Sequence, residues 1–366
     1  MDDFPNFQIP STVETPSVCI DLRLMVQNID RMAQALSTKN VNFRPHVKSH
    51  KSLAVARRQI AAGAAGLTTA TIGEAEVFAA GGFEDLFIAY PLWLTDDKAV
   101  RLRALLERAR VVIGVSSVEG AENLVAKMRG DARLGVLVEV DSGELRTGAT
   151  SPEMATEVAN AVARGGLSVR GVFTHGGHSY AGSGAVAGAA SDEARTLLGS
   201  AAALEAAGHQ VETVSAGSTP TALKSAVPGV TEERPGTFVF GDRQQVALGA
   251  HPADSVALFV AATVVQVTGR QFVLDAGGKV FTKDQPKTVE GFGTLPAYPS
   301  ARVERLFDHH AVVVSTGRTM PTIGEKVAVI PNHVCPVSNL TDEFVVLDDS
   351  GVEVDRWTVD ARVQNR

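Results

Sequence analysis

A chain of 366 residues, 45% hydrophobic and 20% charged, is long enough to bury a barrel-sized core and a smaller second domain. Its formal net charge of −7 gives no electrostatic reason to expect nucleic acid or an anionic membrane as partner. The acidic start MDDFPNFQIP lacks the basic residues and apolar run of a secretory signal, and no later apolar run approaches a membrane-spanning length.

Only Cys19 and Cys335 are present, too few for a disulfide scaffold, so a reducing, cytoplasmic location is expected. In chain order, SVCIDL (17–22) reads as a strand ahead of the main repeat. From Val41 to Gly249 short β-rich runs alternate with Ala-rich, helix-period runs, the pattern of βαβ units and a parallel sheet. The strand candidates are VNFRPHVK (41–48), GLTTAT (66–71), DLFIAY (85–90), RVVIGV (110–115), LGVLVEVD (134–141), VRGVFTH (169–175), VETVSA (211–216) and TFVF (237–240). Helix candidates fall between them at 72–81, 98–109, 118–128, 152–163 and 191–208, with apolar residues three and four apart. The Gly/Ala-rich GHSYAGSGAVAGAA between the sixth strand and the last of these helices reads as a mobile loop.

Eight strands predict an α/β fold with a closed, TIM-like (β/α)₈ barrel over residues 25–250. Beyond His251 the texture becomes β-rich without such helices, in 255–267, 271–277, 309–315, 325–330 and 343–349. This predicts a C-terminal β domain of residues 251–366, completed by 1–24 through SVCIDL. In (β/α)₈ barrels the chemistry lies where strands end. The polar clusters KSHK, DSGELRTG, HGGHSY and AGSTPT fall there.

Strand alternation puts Arg44, His46 and Lys48 on one face and points Lys48 inward. A lysine buried among strand neighbours loses part of its preference for the ammonium form, as an amine nucleophile requires, although a solvated strand-end lysine fits the same local pattern. His333 and Cys335, two apart in an extended run, project to one side and could hold one ion, the thiolate favouring Zn²⁺ over Mn²⁺ or Mg²⁺. Two protein ligands leave open positions, the mark of a catalytic ion.

RPHVKSHK, VEVDSGELRTG, THGGHSY, SAGSTPT, RPGTFVFGD, LDAGGK and PNHVCPVSNL run in one order over nearly the whole chain. Together they resemble the motif series of the D-serine dehydratase and D-threonine aldolase family, alanine-racemase-like enzymes of pyridoxal phosphate fold type III. The resemblance implies that Lys48 binds pyridoxal phosphate and that Arg146 bonds the cofactor's ring oxygen, against the alternative of a surface ion pair with Asp141 or Glu144. It implies a phosphate cradle from Gly217, Ser218, Thr219, Gly236 and Thr237, with the last two placed before the eighth strand.

Tyr180 would lie near the pyridine nitrogen, where a neutral partner leaves a weaker electron sink and favours assisted elimination. His175 is a further pocket candidate, with a packed-core role equally open. His333 and Cys335 fall at the family's metal position. His310 matches a proton-shuttling histidine, but His309 stands where the family usually has an acidic residue.

The resemblance therefore implies a lyase acting on small D-β-hydroxy amino acids, with homodimeric assembly. Cys335 favours a D-serine dehydratase-like ammonia-lyase. The alternatives are a D-threonine or 3-hydroxy-D-aspartate aldolase-like enzyme, an amino acid racemase, and a non-catalytic cofactor-binding protein.

Overall fold

The computed structural model describes residues 3–366. Its elements run β1 (Ser17–Asp21), α1 (Leu22–Ser37), β2 (Asn42–Phe43), α2 (Leu53–Ala61), β3 (Leu67–Thr69), α3 (Ile72–Ala80), β4 (Asp85–Pro91), α4 (Asp96–Leu106), β5 (Arg110–Val115), α5 (Val118–Met128) and β6 (Gly135–Glu139). They continue with α6 (Pro152–Arg164), β7 (Ser168–Phe173), α7 (Val186–Ala206), β8 (Thr213–Ala216), α8 (Ala222–Ser225), β9 (Glu232–Glu233), α9 (Arg243–Ala247), β10 (Leu258–Thr268), β11 (Gln271–Leu274) and α10 (Gly278–Phe281). The last are β12 (Gly293–Thr294), β13 (Ala301–Leu306), β14 (Ala311–Ser315), β15 (Lys326–Pro331), α11 (Val334–Leu340), β16 (Glu343–Leu347) and β17 (Glu353–Thr358).

Two compact units divide the chain. One comprises residues 32–48, 59–236 and 364–366; the other comprises residues up to Arg31, 49–58 and 237–363. The first unit is an eight-stranded parallel sheet in the order β2-β9-β8-β7-β6-β5-β4-β3. A parallel bridge between His46 and Thr68, with the Thr68 amide donating to Pro45 O at 2.9 Å, joins β2 to β3 and closes the barrel. Thr71, Thr95, Ser117 and Ser151 each cap the helix that follows by accepting from the amide three residues on, which starts four of the outer helices within two residues of where the sequence places them.

Inside the barrel Phe87, Leu137 and Phe173 form the core, with the two rings edge to face at 5.0 Å. Gly114 makes room for it: a Cβ there would lie 2.5 Å from the Phe173 ring. Arg44 ties the floor together, donating to Glu232 and to Asp85 at 2.7 Å each from a largely buried side chain.

The eighth strand is Glu232–Glu233, and TFVF begins as a 3₁₀ turn over Thr237–Val239, so Gly236 and Thr237 follow that strand instead of preceding it. Two adjacent glutamates hide the strand from a hydrophobicity reading. They can be buried because Glu232 faces Arg44 and Ser215 and Glu233 accepts from Ser225. The first strand is also shorter than its sequence suggests. After Phe43 the chain passes the His46 bridge into a 3₁₀ turn over Val47–Ser49, so Lys48 lies on a turn and not in a strand's alternation. GHSYAGSGAVAGAA is not an open loop: it forms two 3₁₀ turns and runs straight into α7.

In the second unit the sheet order is β11-β14-β13-β12-β15-β10-β1-β16-β17. The eleven-residue β10 pairs with β15 over its first part and with β11 over its last, which rolls six antiparallel strands into a closed ring. β1 pairs with β10 and β16, the association that SVCIDL anticipates. Cys19 of β1 is fully buried in the core with Phe259, Ile330 and Val345, and burial pushes its thiol up to about 12, which makes it inert.

Candidate active site

The barrel unit gathers its functional side chains at the C-terminal ends of β2, β6, β7, β8 and β9. Lys48 is half-buried on the turn after β2, its amide donating to His46 Nδ1 at 3.3 Å. After β7, His175 meets Gly217 O through Nδ1 at 3.2 Å. A carbonyl only accepts, so Nδ1 carries the proton and Nε2 presents a lone pair. Burial, then the charge on Lys48, and more weakly Arg146 and Arg234, hold His175 down at about 3 against the pull of Gly217 O. His175 is therefore neutral at any physiological pH. The Tyr180 ring lies 6.4 Å from its own, centroid to centroid.

This has a measurable consequence. An unfolded histidine titrates near 6.5 and this one near 3, so between those values the unfolded chain binds the extra proton. The contribution is complete above pH 6.5 and falls as pH drops toward 3, costing at most about 2 kcal/mol at pH 5. Urea unfolding at pH 7.5 and pH 5 is expected to show a smaller pH loss for His175→Gln than for the parent. Equal losses would contradict the neutral imidazole.

After β6, Asp141 accepts from the amides of Gly143 and Leu145 and shapes the turn that carries Arg146. Arg146 is 58% exposed and pairs with Glu144 at 3.3 Å, the surface ion pair that was the alternative to cofactor binding. Its charge still reaches His175.

The turn after β8 has an internal bond set. Gly217 has φ of +127°, and a Cβ there would lie 2.6 Å from Arg234 N, so only glycine fits. Its N–H donates to Glu193 at 3.1 Å and so is committed inside the protein. Ser218 bonds Thr221 through N and Oγ, and Thr219 Oγ1 accepts from Gly236 N at 3.2 Å. A half-buried lysine amine, a neutral imidazole, a tyrosine and a turn of buried hydroxyls beneath Arg234 form a donor set that suits an aromatic aldehyde phosphate.

Sequence reading missed Glu193 and Arg234. Both are buried, and Arg234 donates to Ser215 Oγ and Thr174 O between Phe87 and Phe173. The RPG tripeptide contained the signal for Arg234. Nothing local marked Glu193, which lies on an ordinary Ala-rich helix.

In the β unit His333 and Cys335 do come together, though not as strand neighbours. β15 ends at Pro331, His333 occupies the N-cap position of α11, and Cys335 is in its first turn. Pro336 explains the change, since a fixed φ and a missing N–H suit the first turn of a helix. His333 Nδ1 is 2.6 Å from Asp284 Oδ2, and its ring also bonds the Cys335 sulfur. Ser49 Oγ and Thr237 Oγ1 lie 3.2 and 3.8 Å from Cys335 Sγ. Thr237 thus stands by the thiol in this unit.

Burial opposes a charge on His333, but Cys335, Asp284 and Asp242 lift it to about 11. Asp242, pushed up to about 6 by burial, accepts from Val334 N at 3.1 Å. An imidazole that keeps its proton between a carboxylate and a sulfur marks a place that favours a cation. Asp284 fixes the ring as the outer partner of a metal-bound histidine does. Among the described residues no group of three or more His, Cys, Asp or Glu converges, so a divalent ion here would take two protein ligands and keep open positions. His310 is exposed on the β13–β14 turn, where Lys279 approaches Asp308 at 3.7 Å and His309 at 3.5 Å. The structure does not gather it with His333 and Cys335. No helix among the described residues is long and apolar enough to cross a membrane.

Two family models match the chain: the alanine racemase N-terminal domain over residues 20–244 and a putative serine dehydratase domain over residues 257–347. The chain is 33% identical to D-threo-3-hydroxyaspartate dehydratase of Delftia sp. (strain HT23), over 94% of this chain and 97% of that protein. The solved structure of that dehydratase superposes with a TM-score of 0.88 at 31% identity, covering 95% of this chain and 97% of that one. Solved variants of the same enzyme include a histidine-to-alanine form and, two positions on, a cysteine-to-alanine form described as metal-free. D-threonine aldolase of Arthrobacter sp. is 32% identical over 96% of this chain and 93% of its own, and D-serine dehydratase of Dictyostelium discoideum is 24% identical over 93% and 94%.

Proposed function

Since the chain belongs to the D-serine dehydratase and D-threonine aldolase family of alanine-racemase-like, fold-type III pyridoxal phosphate enzymes, we propose that it dehydrates a small D-β-hydroxy amino acid to a 2-oxo acid and ammonia. It is a pyridoxal phosphate-dependent lyase of D-amino acids. The observation that carries the choice of dehydration is the His333–Cys335 pair, a soft two-ligand site held by Asp284 and matched in spacing by the altered histidine and cysteine of the Delftia dehydratase.

Pyridoxal phosphate, when bound, supplies an electron sink that acidifies the substrate's Cα–H. Lys48 would hold the cofactor through Nζ, and the same amine would serve as the base for the Cα proton. The Cα–H electron pair forms the new double bond to Cβ while the Cβ–O bond breaks and the oxygen leaves with its pair. The released amino-acrylate tautomerises, and water hydrolyses it to the 2-oxo acid and ammonia.

His333 and Cys335 would hold a divalent ion, Zn²⁺ in preference to Mn²⁺ or Mg²⁺, which would supply Lewis acidity for departure of hydroxide. His175, neutral, and Tyr180 would border the cofactor ring without donating a full charge to it. Arg146 would bond the ring oxygen in place of Glu144, and Ser218, Thr219 and Gly236 would hold the phosphate, whereas Thr237 stands beside Cys335. Gly217 shapes that turn, while His310, exposed on the β13–β14 turn, takes no part in this scheme. Homodimeric assembly and a cytoplasmic location complete the proposal, the second supported by two free cysteines.

A retro-aldol reaction is the second reading, favoured by the Arthrobacter relative. Incubation with D-serine, D-threonine and D-3-hydroxyaspartate, with and without chelator, separates the two. Stoichiometric 2-oxo acid and ammonia, abolished by the chelator, are expected. Glycine and an aldehyde without 2-oxo acid would replace dehydration with aldol cleavage.

A further inference from the structure

We propose that Glu193 is a positioning residue for the cofactor cradle, one buried carboxylate that sets the loop after β7 against the loop after β8. Glu193 projects from α7 and is fully buried. Its Oε1 accepts from Gly176 N at 2.7 Å and from Gly217 N at 3.1 Å. Those amides belong to different barrel loops. The first loop carries His175 and Tyr180, and the second carries Ser218 and Thr219.

The link closes on itself. His175 Nδ1 donates to Gly217 O, so the Gly217 residue is gripped on its N–H by Glu193 and on its carbonyl by the neighbour of the other amide. One side chain thereby fixes the separation between the groups assigned to the cofactor ring and those assigned to its phosphate. Both amides come from glycine for a steric reason. A Cβ on Gly176 would lie 2.5 Å from Glu193 Cδ, and one on Gly217 would lie 2.7 Å from Glu233 Oε2.

A bare anion at this point would repel a phosphate. Burial raises the affinity of Glu193 and of its neighbour Glu233 for a proton, and Arg234 offsets the remaining charge. What the site needs from position 193 is an acceptor oxygen at a set reach. Glutamine supplies that oxygen. Aspartate, shorter by one methylene, keeps the charge and loses the reach.

This inference rests on the proposal that the barrel unit takes pyridoxal phosphate. The test titrates the full-length apoprotein and its Glu193→Gln and Glu193→Asp variants with pyridoxal 5′-phosphate and, separately, with pyridoxal, following near-visible absorption. Glu193→Gln is expected to bind pyridoxal phosphate within about threefold of the parent. Glu193→Asp is expected to bind it at least about tenfold more weakly while its affinity for pyridoxal changes far less, since tenfold corresponds to the loss of roughly one buried hydrogen bond to the phosphate loop.

A general loosening of the fold would weaken both ligands alike and would overturn the positioning role. So would an aspartate variant that binds like the parent, or a glutamine variant as weak as aspartate. Should the aspartate variant not fold, the glutamine variant decides: a tenfold fall in its preference for the phosphorylated ligand removes the acceptor role, and a parental preference supports it. A parent protein that develops no cofactor absorption at all would instead sink the cofactor reading itself, and this inference with it.

Discussion

Lys48→Ala protein, saturated with pyridoxal phosphate, is expected to show none of the near-visible absorption of covalently held cofactor, and its kcat/KM should fall on the order of 10⁴-fold, because the same amine holds the cofactor and moves the Cα proton. The turn over Val47–Ser49 leaves Lys48 half-buried, with His175 close enough for its charge to depress the imidazole. An exogenous amine could restore proton transfer but not the covalent tether, so chemical rescue should raise turnover without restoring the parental spectrum. An unchanged spectrum in Lys48→Ala would show that another residue carries the cofactor.

The second large effect is at the other end of the sequence. His333→Ala and Cys335→Ala should each keep cofactor colour and lose bound metal, with turnover reduced on the order of a thousandfold, the cost of expelling hydroxide without Lewis-acid assistance. Metal analysis and spectra on the same samples check both halves. Asp284 leaves His333 oriented in the cysteine variant and Asp242 leaves α11 capped in the histidine variant, so each fold should survive. Chelation of the parent should reproduce the loss, and added Zn²⁺ should reverse it in the parent alone. Full turnover in metal-free Cys335→Ala would remove the metal from the mechanism.

The outer architecture was legible because it rests on local periodicity. RVVIGV and the helices from Val118 and Pro152 appear almost residue for residue, and SVCIDL pairs where its composition suggests. Errors gathered where distant partners override local preference. Glu232 and Glu233 make a strand because Arg44 and Ser225 satisfy them from elsewhere in the chain. His333 and Cys335 meet at a helix start because Pro336 suits a first turn better than a strand, and the pairing survives the change of conformation.

Motif order picked out Lys48, His175 and the Gly217 turn. It could not show that the Gly217 amide is already committed, because the acceptor is Glu193, a residue with no motif around it. For the same reason the Arg146–Glu144 pair was one of two readings from sequence, and the fold displays that pair.

Arg44 gives the segment that leads to Lys48 a fixed point. Its guanidinium is bolted to Asp85 and Glu232 at the barrel floor, four residues before the lysine. Between them the chain is held again at the His46–Thr68 bridge before it turns at Val47–Ser49, so the amine takes its place from two successive anchors. The placement of a reactive nitrogen is thereby set by a charge triad on the opposite face of the barrel, and the aim of Lys48 can be altered by a residue that never touches a ligand.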